Sequence, residues 1–286
     1  MLIRRIANRM KQWLEAFKSE CRHGRVFLHC KIHRKIPVFW YSEETNLGDV
    51  LNAYLVEKIT GRPAQLIKPW RYRHTNYFVI GSVLSLVNRN SIVWGAGLIH
   101  QDKLFQTPPR EIRAVRGPLT RERLLEQGVP CPKVYGDPAL LLPRFYDPDV
   151  TPTKPLGIIP HFSDKKHPWI EQMASHKDVV LIDIQTDDIE GFVQQVLACE
   201  RIIASSLHGV ILADAYRIPS LWIPLSADVG EFKFHDYFRS VGRDIAAARV
   251  SPTETDFETL KAAFFPYEIT IDLDLLMSQC PLPLQR

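Results

Sequence analysis

From residue 36 onward, short apolar runs of strand character alternate with stretches of helical pattern, and this alternation constrains the fold more than any other feature. Strand, helix and strand in succession close as a parallel crossover unit. In the first part the pattern predicts strands over 36–41, 77–81, 91–95, 112–116 and 133–136. A helix runs from Asp49 to about Thr60, and Gly117-Pro118 opens another that Gly128 stops. Six prolines fall between 138 and 160, and 143–155 reads as a linker. Beyond it the alternation resumes, with strands over 156–160, 179–184, 201–205 and 220–223 and helices over 169–176, 188–199 and 207–216. Nearly continuous apolar strands such as Ile202-Ile203-Ala204 suit sheets covered on both faces. The expectation is an α/β chain of two parallel-sheet halves, 36–150 and 151–286, facing a cleft. Ligands of such sheets lie beyond the carboxyl ends of the strands, so functional residues should follow strands.

With 45% hydrophobic and 24% charged residues over 286 positions, the chain has the balance of a soluble globular protein. No apolar run reaches the ~18 residues of a membrane span. Five cysteines, an odd number without a C-x-x-C pair, argue against a disulfide framework or a structural zinc and for reduced thiols in a cytosol. The net charge of +4 is too small to argue for nucleic acid, but it is unevenly placed. Residues 1–35 hold ten Lys/Arg against Glu15 and Glu20, a basic segment of +8. Within it Ile3, Ile6, Met10, Trp13 and Phe17 follow an i, i+3, i+7 rhythm that makes one apolar helical face. Such a segment suits peripheral contact with a membrane surface, or packing on the body or on a second subunit, and the sequence leaves both open.

The strongest chemical candidate is the turn Ser205-Ser206-Leu207-His208-Gly209, where an apolar strand ends and an apolar helix starts. A helix N-terminus offers unpaired N–H groups and a positive dipole end, which suit phosphate or carboxylate. Ser205 or Ser206 can cap the helix, and His208 could bind an anion or move a proton. Arg116 closes a strand ahead of Gly117-Pro118 and could fork onto an anion, or pair with Asp137 or another acid. Asn46 and Asp49 follow the first strand as caps or as contacts to sugar hydroxyls. Ser82 follows Gly81, and Asp137 is a turn residue or a cleft acid. His161 follows the first strand of the second half. Lys233, Asp236 and Tyr237 form a cluster that suits a sugar or an anionic donor. No P-loop, G-x-S-x-G elbow, H-E-x-x-H or dense metal cluster is present, so no metal site is expected.

Taken in order, N-L-G-D at 46–49, G-S at 81–82, W-G-A-G at 94–97, V-R-G-P-L-T at 115–120, Y-G-D-P-A at 135–139, I-P-H at 159–161 and S-S-L-H-G at 205–209 resemble the polysaccharide pyruvyl transferase family. K-F-H-D-Y at 233–237 resembles its exopolysaccharide branch. The resemblance implies two Rossmann-like halves in a GT-B-like arrangement, acceptor side first and donor side second, with no organic cofactor. It implies a cytoplasmic enzyme that moves pyruvate from phosphoenolpyruvate onto two hydroxyls of a saccharide, free or lipid-linked, as a cyclic ketal. In the latter case the acceptor would bring the enzyme to the inner face of the cytoplasmic membrane. His208, Asp49 and Asp137 would be catalytic, with Arg116, Lys233, His161, Asn46, Ser82, Ser205, Ser206, Gly209, Asp236 and Tyr237 binding substrate. Where many members carry R-L-H, this chain has Ser206-Leu207-His208, so the donor charge would fall to Arg116, Lys233, His161 or the helix N-terminus. A GT-B-like glycosyltransferase using a nucleotide sugar and a non-catalytic sugar-binding relative are the competing readings.

Overall fold

A computed structural model describes residues 24–102, 105–226 and 229–285. The amphipathic pattern over 3–17 lies outside the described residues. Residues 24–32 are helical, and Val26 and Phe27 rest on the core of the first sheet.

Every strand pairing is parallel. The first sheet has five strands, β1 (Ile36–Val38), β2 (Ala64–Leu66), β3 (Asn76–Phe78), β4 (Ser91–Trp94) and β5 (Glu111–Ala114), in the order β2-β1-β3-β4-β5. The second has four, β6 (Leu156–Ile159), β7 (Val179–Leu181), β8 (Ile202–Ala204) and β9 (Ser220–Trp222), in the order β7-β6-β8-β9. The chain is thus α/β with two Rossmann-like halves. Strands β4, β6, β8 and β9 are buried along their whole length, as continuous apolar runs require when helices cover both faces.

Helix α1 (Leu47–Thr60) follows β1, with Asn46 as its cap and Gly61 ending it in the left-handed region at φ 64°. Asn52 fastens it in place. Its side chain accepts from Ile80 N at 3.0 Å and donates to Ile80 O at 3.2 Å, so α1 is tied to the loop after β3. Helix α2 (Pro118–Glu126) follows β5, and α3 (Pro168–Ala174), α4 (Ile189–Leu197) and α5 (Leu207–Ala215) connect the second sheet. Helix α5 is apolar apart from His208 in its first turn and Asp214 near its end, which is buried against Arg243. Its Gly209 lies so close to Ala204 and Ile159 that a Cβ would meet both at 2.9 Å, while its other side packs on the short 3-10 helix Pro138–Arg144.

That 3-10 helix takes the first two residues of the linker expected over 143–155, and residues 145–155 hold no helix or strand beyond the bridge at Lys154. Ala139, Leu140, Leu141 and Leu142 are buried, and Pro143 sits inside the turn. Pro138 and Pro143 belong to this apolar segment, and the irregular connection begins after Arg144. The strand expected over 133–136 shrinks to one bridge between Tyr135 and Val115.

After β9 the chain returns to the first half. Helix α6 (Phe232–Ser240) packs on α2, α7 (Phe257–Ala262) stays with the second sheet, and α8 (Leu273–Ser278) lies on the 3-10 helix. Trp94 Nε1 donates to Leu276 O at 2.8 Å, and Gln285 N donates to Ile59 O at 3.0 Å. One apolar cluster therefore runs from Val38 and Leu51 of the first half through Ile211 and Leu212 to Leu276. Trp94→Phe removes the indole N–H and part of the buried ring, and among the described residues it leaves Leu276 O with the Gln279 N–H alone. It should cost about 1–3 kcal/mol in urea unfolding, whereas Trp70→Phe, at an exposed ring, should cost almost nothing.

Candidate active site

The carboxyl ends of β1, β8 and the bridge at Tyr135 meet around one imidazole. His208 stands in the first turn of α5, and its ring lies flat on Gly48 of α1, where any Cβ would overlap it. Gly48 is fixed from both directions. Asn46 Oδ1 accepts from its N–H at 2.9 Å, and the neighbouring Leu47 N–H donates across the halves to Ile184 O at 2.9 Å. On the far side of the ring His208 Nε2 faces Asp137 Oδ2 at 3.7 Å. Asp137 caps the 3-10 helix with its other oxygen, which accepts from Ala139 N at 3.0 Å. Both facing atoms, Nε2 and Oδ2, are buried and lack a hydrogen-bond partner among the described residues. Buried polar atoms in that state are costly.

Asp49 follows Gly48, and Tyr41 N–H donates to its Oδ1 at 3.1 Å. Burial pushes its carboxyl up to about 6, against the opposing pull of His208, the Tyr41 hydrogen bond and Lys233. Lys233 reaches the same region from α6. Burial, with the Arg116 guanidinium nearby, brings its ammonium down to about 8, while Asp164 and Asp49 hold it up. His161 caps the short 3-10 turn Phe162–Asp164. Burial and the Lys233 charge push its imidazole down to about 4, so it is neutral near pH 7. Lys233 is therefore the cation this cluster offers at neutral pH whose ammonium, among the described residues, makes no hydrogen bond or ion pair.

Arg116 lies deeper. It is fully buried, and its guanidinium is divided among protein partners. Nε and Nη2 meet Asp236 Oδ2 at 3.1 Å each, Nη1 donates to Ser82 Oγ at 2.7 Å, and Nη2 donates to Leu98 O at 2.6 Å. Asp236 also accepts from Thr120 N at 2.9 Å and Thr120 Oγ1 at 2.6 Å. Two glycines permit the arrangement. A Cβ on Gly97 would strike the guanidinium, and one on Gly117 would strike the Asp236 backbone. The pair locks α6 onto the carboxyl ends of β4 and β5 and so sets where Lys233 projects. A buried pair of this kind fixes position more than it adds stability.

The structure brings His208, Asp49, Asp137, Asn46, Lys233, His161 and Ser205 to this end of the sheets, with Arg116, Ser82 and Asp236 in the layer beneath. Ser205 Oγ accepts from His161 N at 2.8 Å, so it joins the two strand-end turns of the second half. Ser206 stands at the start of α5, with no hydrogen bond from its side chain to the helix. Gly209 faces the β6–β8 surface. Tyr237 is not with the others: it is fully buried, and its hydroxyl donates to Asp214 Oδ2 at 2.8 Å in a network with Arg243 and Ser220. Sequence reasoning misses Thr120 and Asp164. Thr120 belongs to the V-R-G-P-L-T run, and Asp164 comes three residues after the strand-end His161, but neither carries a local sign of its partner. Among the described residues no cluster of three or more His, Cys, Asp or Glu is arranged to hold a metal ion, and no helix is long and apolar enough to cross a membrane.

Residues 46–226 match the family model described as polysaccharide pyruvyl transferase, a span that begins at the Asn46 cap and contains His208. The chain belongs to the polysaccharide pyruvyl transferase family. Among its relatives are the uncharacterized protein L143 of Acanthamoeba polyphaga mimivirus, 33% identical over 85% of this chain and 87% of that protein. Another is the succinoglycan biosynthesis protein ExoV of Rhizobium meliloti (strain 1021), 27% identical over 78% of this chain and 70% of that protein. In this family member the residues packed around His208 derive from both halves, so the cluster exists only when the halves are closed on α5.

Asp49 gives a stability prediction. Its folded pKa of about 6 stands above the unfolded carboxylate value, so its contribution is whole below about pH 4 and is lost as the pH rises through 6. Asp49→Asn should therefore raise the melting temperature at about pH 7.5, by up to about 3 kcal/mol of stability, with a smaller gain at about pH 5. A variant less stable than the parent at about pH 7.5 contradicts the burial argument.

Proposed function

We propose that the enzyme transfers pyruvate from phosphoenolpyruvate to two hydroxyls of one sugar in a saccharide acceptor, closing a cyclic ketal. The observation that carries this reading is His208, held between Asp49 and Asp137 with Nε2 unpaired, at the amino end of an apolar helix beside Lys233. The donor carries a phosphate and a carboxylate. The helix N-terminus and Lys233 are the groups for them, and the buried Arg116 adds positive potential from beneath.

The chemistry is proton-neutral overall. Phosphoenolpyruvate and a diol become a ketal and hydrogen phosphate. Two protons leave the hydroxyls; one ends in the new methyl group and one on the departing phosphate. His208 is the group to protonate the methylene carbon, which makes C2 electrophilic as an oxocarbenium-like centre. Asp137, facing Nε2, and Asp49, beside Gly48, stabilise the imidazolium and return its proton. The first hydroxyl bonds to C2, the C2–O bond to phosphate breaks, and the second hydroxyl closes the ring. Arg116, Ser82 and Asp236 position Lys233 and the loops after β3 and β5. Residues 36–150 then form the acceptor side and 151–286 the donor side, sharing His208 between them. ExoV belongs to succinoglycan biosynthesis, which supports an extracellular polysaccharide or its lipid-linked precursor as acceptor and, for the latter, work at the inner face of the cytoplasmic membrane.

His208→Ala should lose ~10²–10⁴-fold in acceptor-dependent phosphate release from phosphoenolpyruvate, with an unchanged circular dichroism spectrum. Normal turnover in a folded variant contradicts the assignment. Phosphoenolpyruvate should raise the melting temperature and a nucleotide sugar should not; the reverse favours a glycosyltransferase. Since the Lys233 ammonium loses its proton near pH 8, the KM for phosphoenolpyruvate should rise above that pH, while in Lys233→Met it is high and flat across the same range.

A further inference from the structure

Closing a ketal requires a base for each of two hydroxyls, and the carboxyls around His208 are not the only ones that act on Lys233. Asp164 also interacts with its ammonium. It is 1% exposed, at the end of the 3-10 turn that comes after β6. Its Oδ1 accepts from Ser226 Oγ at 2.6 Å, which fixes the plane of the carboxyl group. Its Oδ2 is buried and has no hydrogen-bond partner among the described residues. A carboxylate built so deeply, with one oxygen held and one left open, is expensive unless something donates to the open oxygen.

Beside Asp164 lies a small hollow. Asp164 lines a hollow of about 10 Å³ together with Ser205, Ser226, Trp222, Gly230 and Glu231, on the scale of one water-sized group. Ser205 ties this hollow to the His208 turn, since its Oγ accepts from His161 N while its chain leads into α5. Lys233 spans the distance electrostatically, interacting with both Asp164 and Asp49. Asp236, the other acid of this region, has both oxygens committed to Arg116 and Thr120.

We propose that Asp164 Oδ2 is a catalytic base that accepts the hydrogen bond, and then the proton, of one of the two acceptor hydroxyls. This rests on the ketal-forming reading above. In the step, the hydroxyl O–H proton passes to Asp164 Oδ2 while the oxygen bonds to C2; the electron pair of the C2–O bond leaves with phosphate, and Asp164 gives its proton to that phosphate. The other hydroxyl proton replaces the one that His208 delivers to the methylene carbon, so all protons are accounted for. The acceptor is thereby specified as a sugar that presents one reacting hydroxyl toward the His208 pair and the other toward Asp164.

The test uses the full chain, phosphoenolpyruvate, and a polysaccharide that the parent enzyme turns over. Asp164→Asn should keep the thermal shift with phosphoenolpyruvate and lose ~10²–10⁴-fold in kcat. Asp164→Ala opens room for a small acid, so added formate should restore a concentration-dependent share of the rate, which a merely structural aspartate would not show. Asp164→Asn with normal kcat, or Asp164→Ala folded and inactive without rescue by formate, overturns the proposal while leaving the ketal reading in place. A parent enzyme that neither binds phosphoenolpyruvate nor releases phosphate from it overturns the ketal reading and this base together.

Discussion

Helix Leu207–Ala215 has no side that faces solvent, and most of the molecule is shaped by finding partners for all of it. One side closes on β6 and β8, so tightly at Gly209 that no side chain would fit. The opposite side needs an apolar cover, and Ala139, Leu140, Leu141 and Leu142 from the first half supply it. A helix that is hydrophobic nearly all round is stable only inside, so the halves are driven together along it by burial. The imidazole on its first turn is then delivered to the junction without any directed contact of its own.

Charge at the junction is distributed in two layers. The guanidinium of Arg116 is used up beneath the surface as a clamp on Asp236, and its long-range effect is to loosen the proton on Lys233. The upper layer holds one ammonium and three acids, Asp49, Asp137 and Asp164, in two kinds of environment. Burial alone raises Asp49. Asp137 and Asp164 each have one oxygen anchored by a neighbour and one left open. On the proposed reading, these groups offer several proton positions around a single cation, as a reaction that redistributes two protons needs.

Much of this is legible in sequence because it is local. A strand ending in Ser205-Ser206-Leu207-His208, or in Arg116-Gly117-Pro118, advertises a helix start and a side chain at the sheet end, and both the parallel sheets and their crossover helices can be read from hydrophobic period alone. What stays hidden depends on distant partners. Strand β2 is three half-buried residues with little apolar signal. The run over 139–142 shows no local sign of its 3-10 turn until α5 is seen to pack on its leucines. The partner that turns Arg116 from a surface fork into a clamp is 120 positions away, and the serine that aims Asp164 is 62 positions away. No window of sequence holds either relation.

The bond from the Trp94 indole to Leu276 joins residues 182 positions apart, and it bears on how the molecule is made. A nascent chain that has emerged through β5 possesses a complete set of strands for its first sheet, yet the cover for that sheet is still untranslated. Contacts of such separation are slow to form, because the intervening loop must be closed before they reward it. Vectorial synthesis therefore cannot finish the amino-terminal half ahead of the carboxyl-terminal one. Until the second half is made, the leucines of the 3-10 helix lack the cover that helix Leu207–Ala215 supplies.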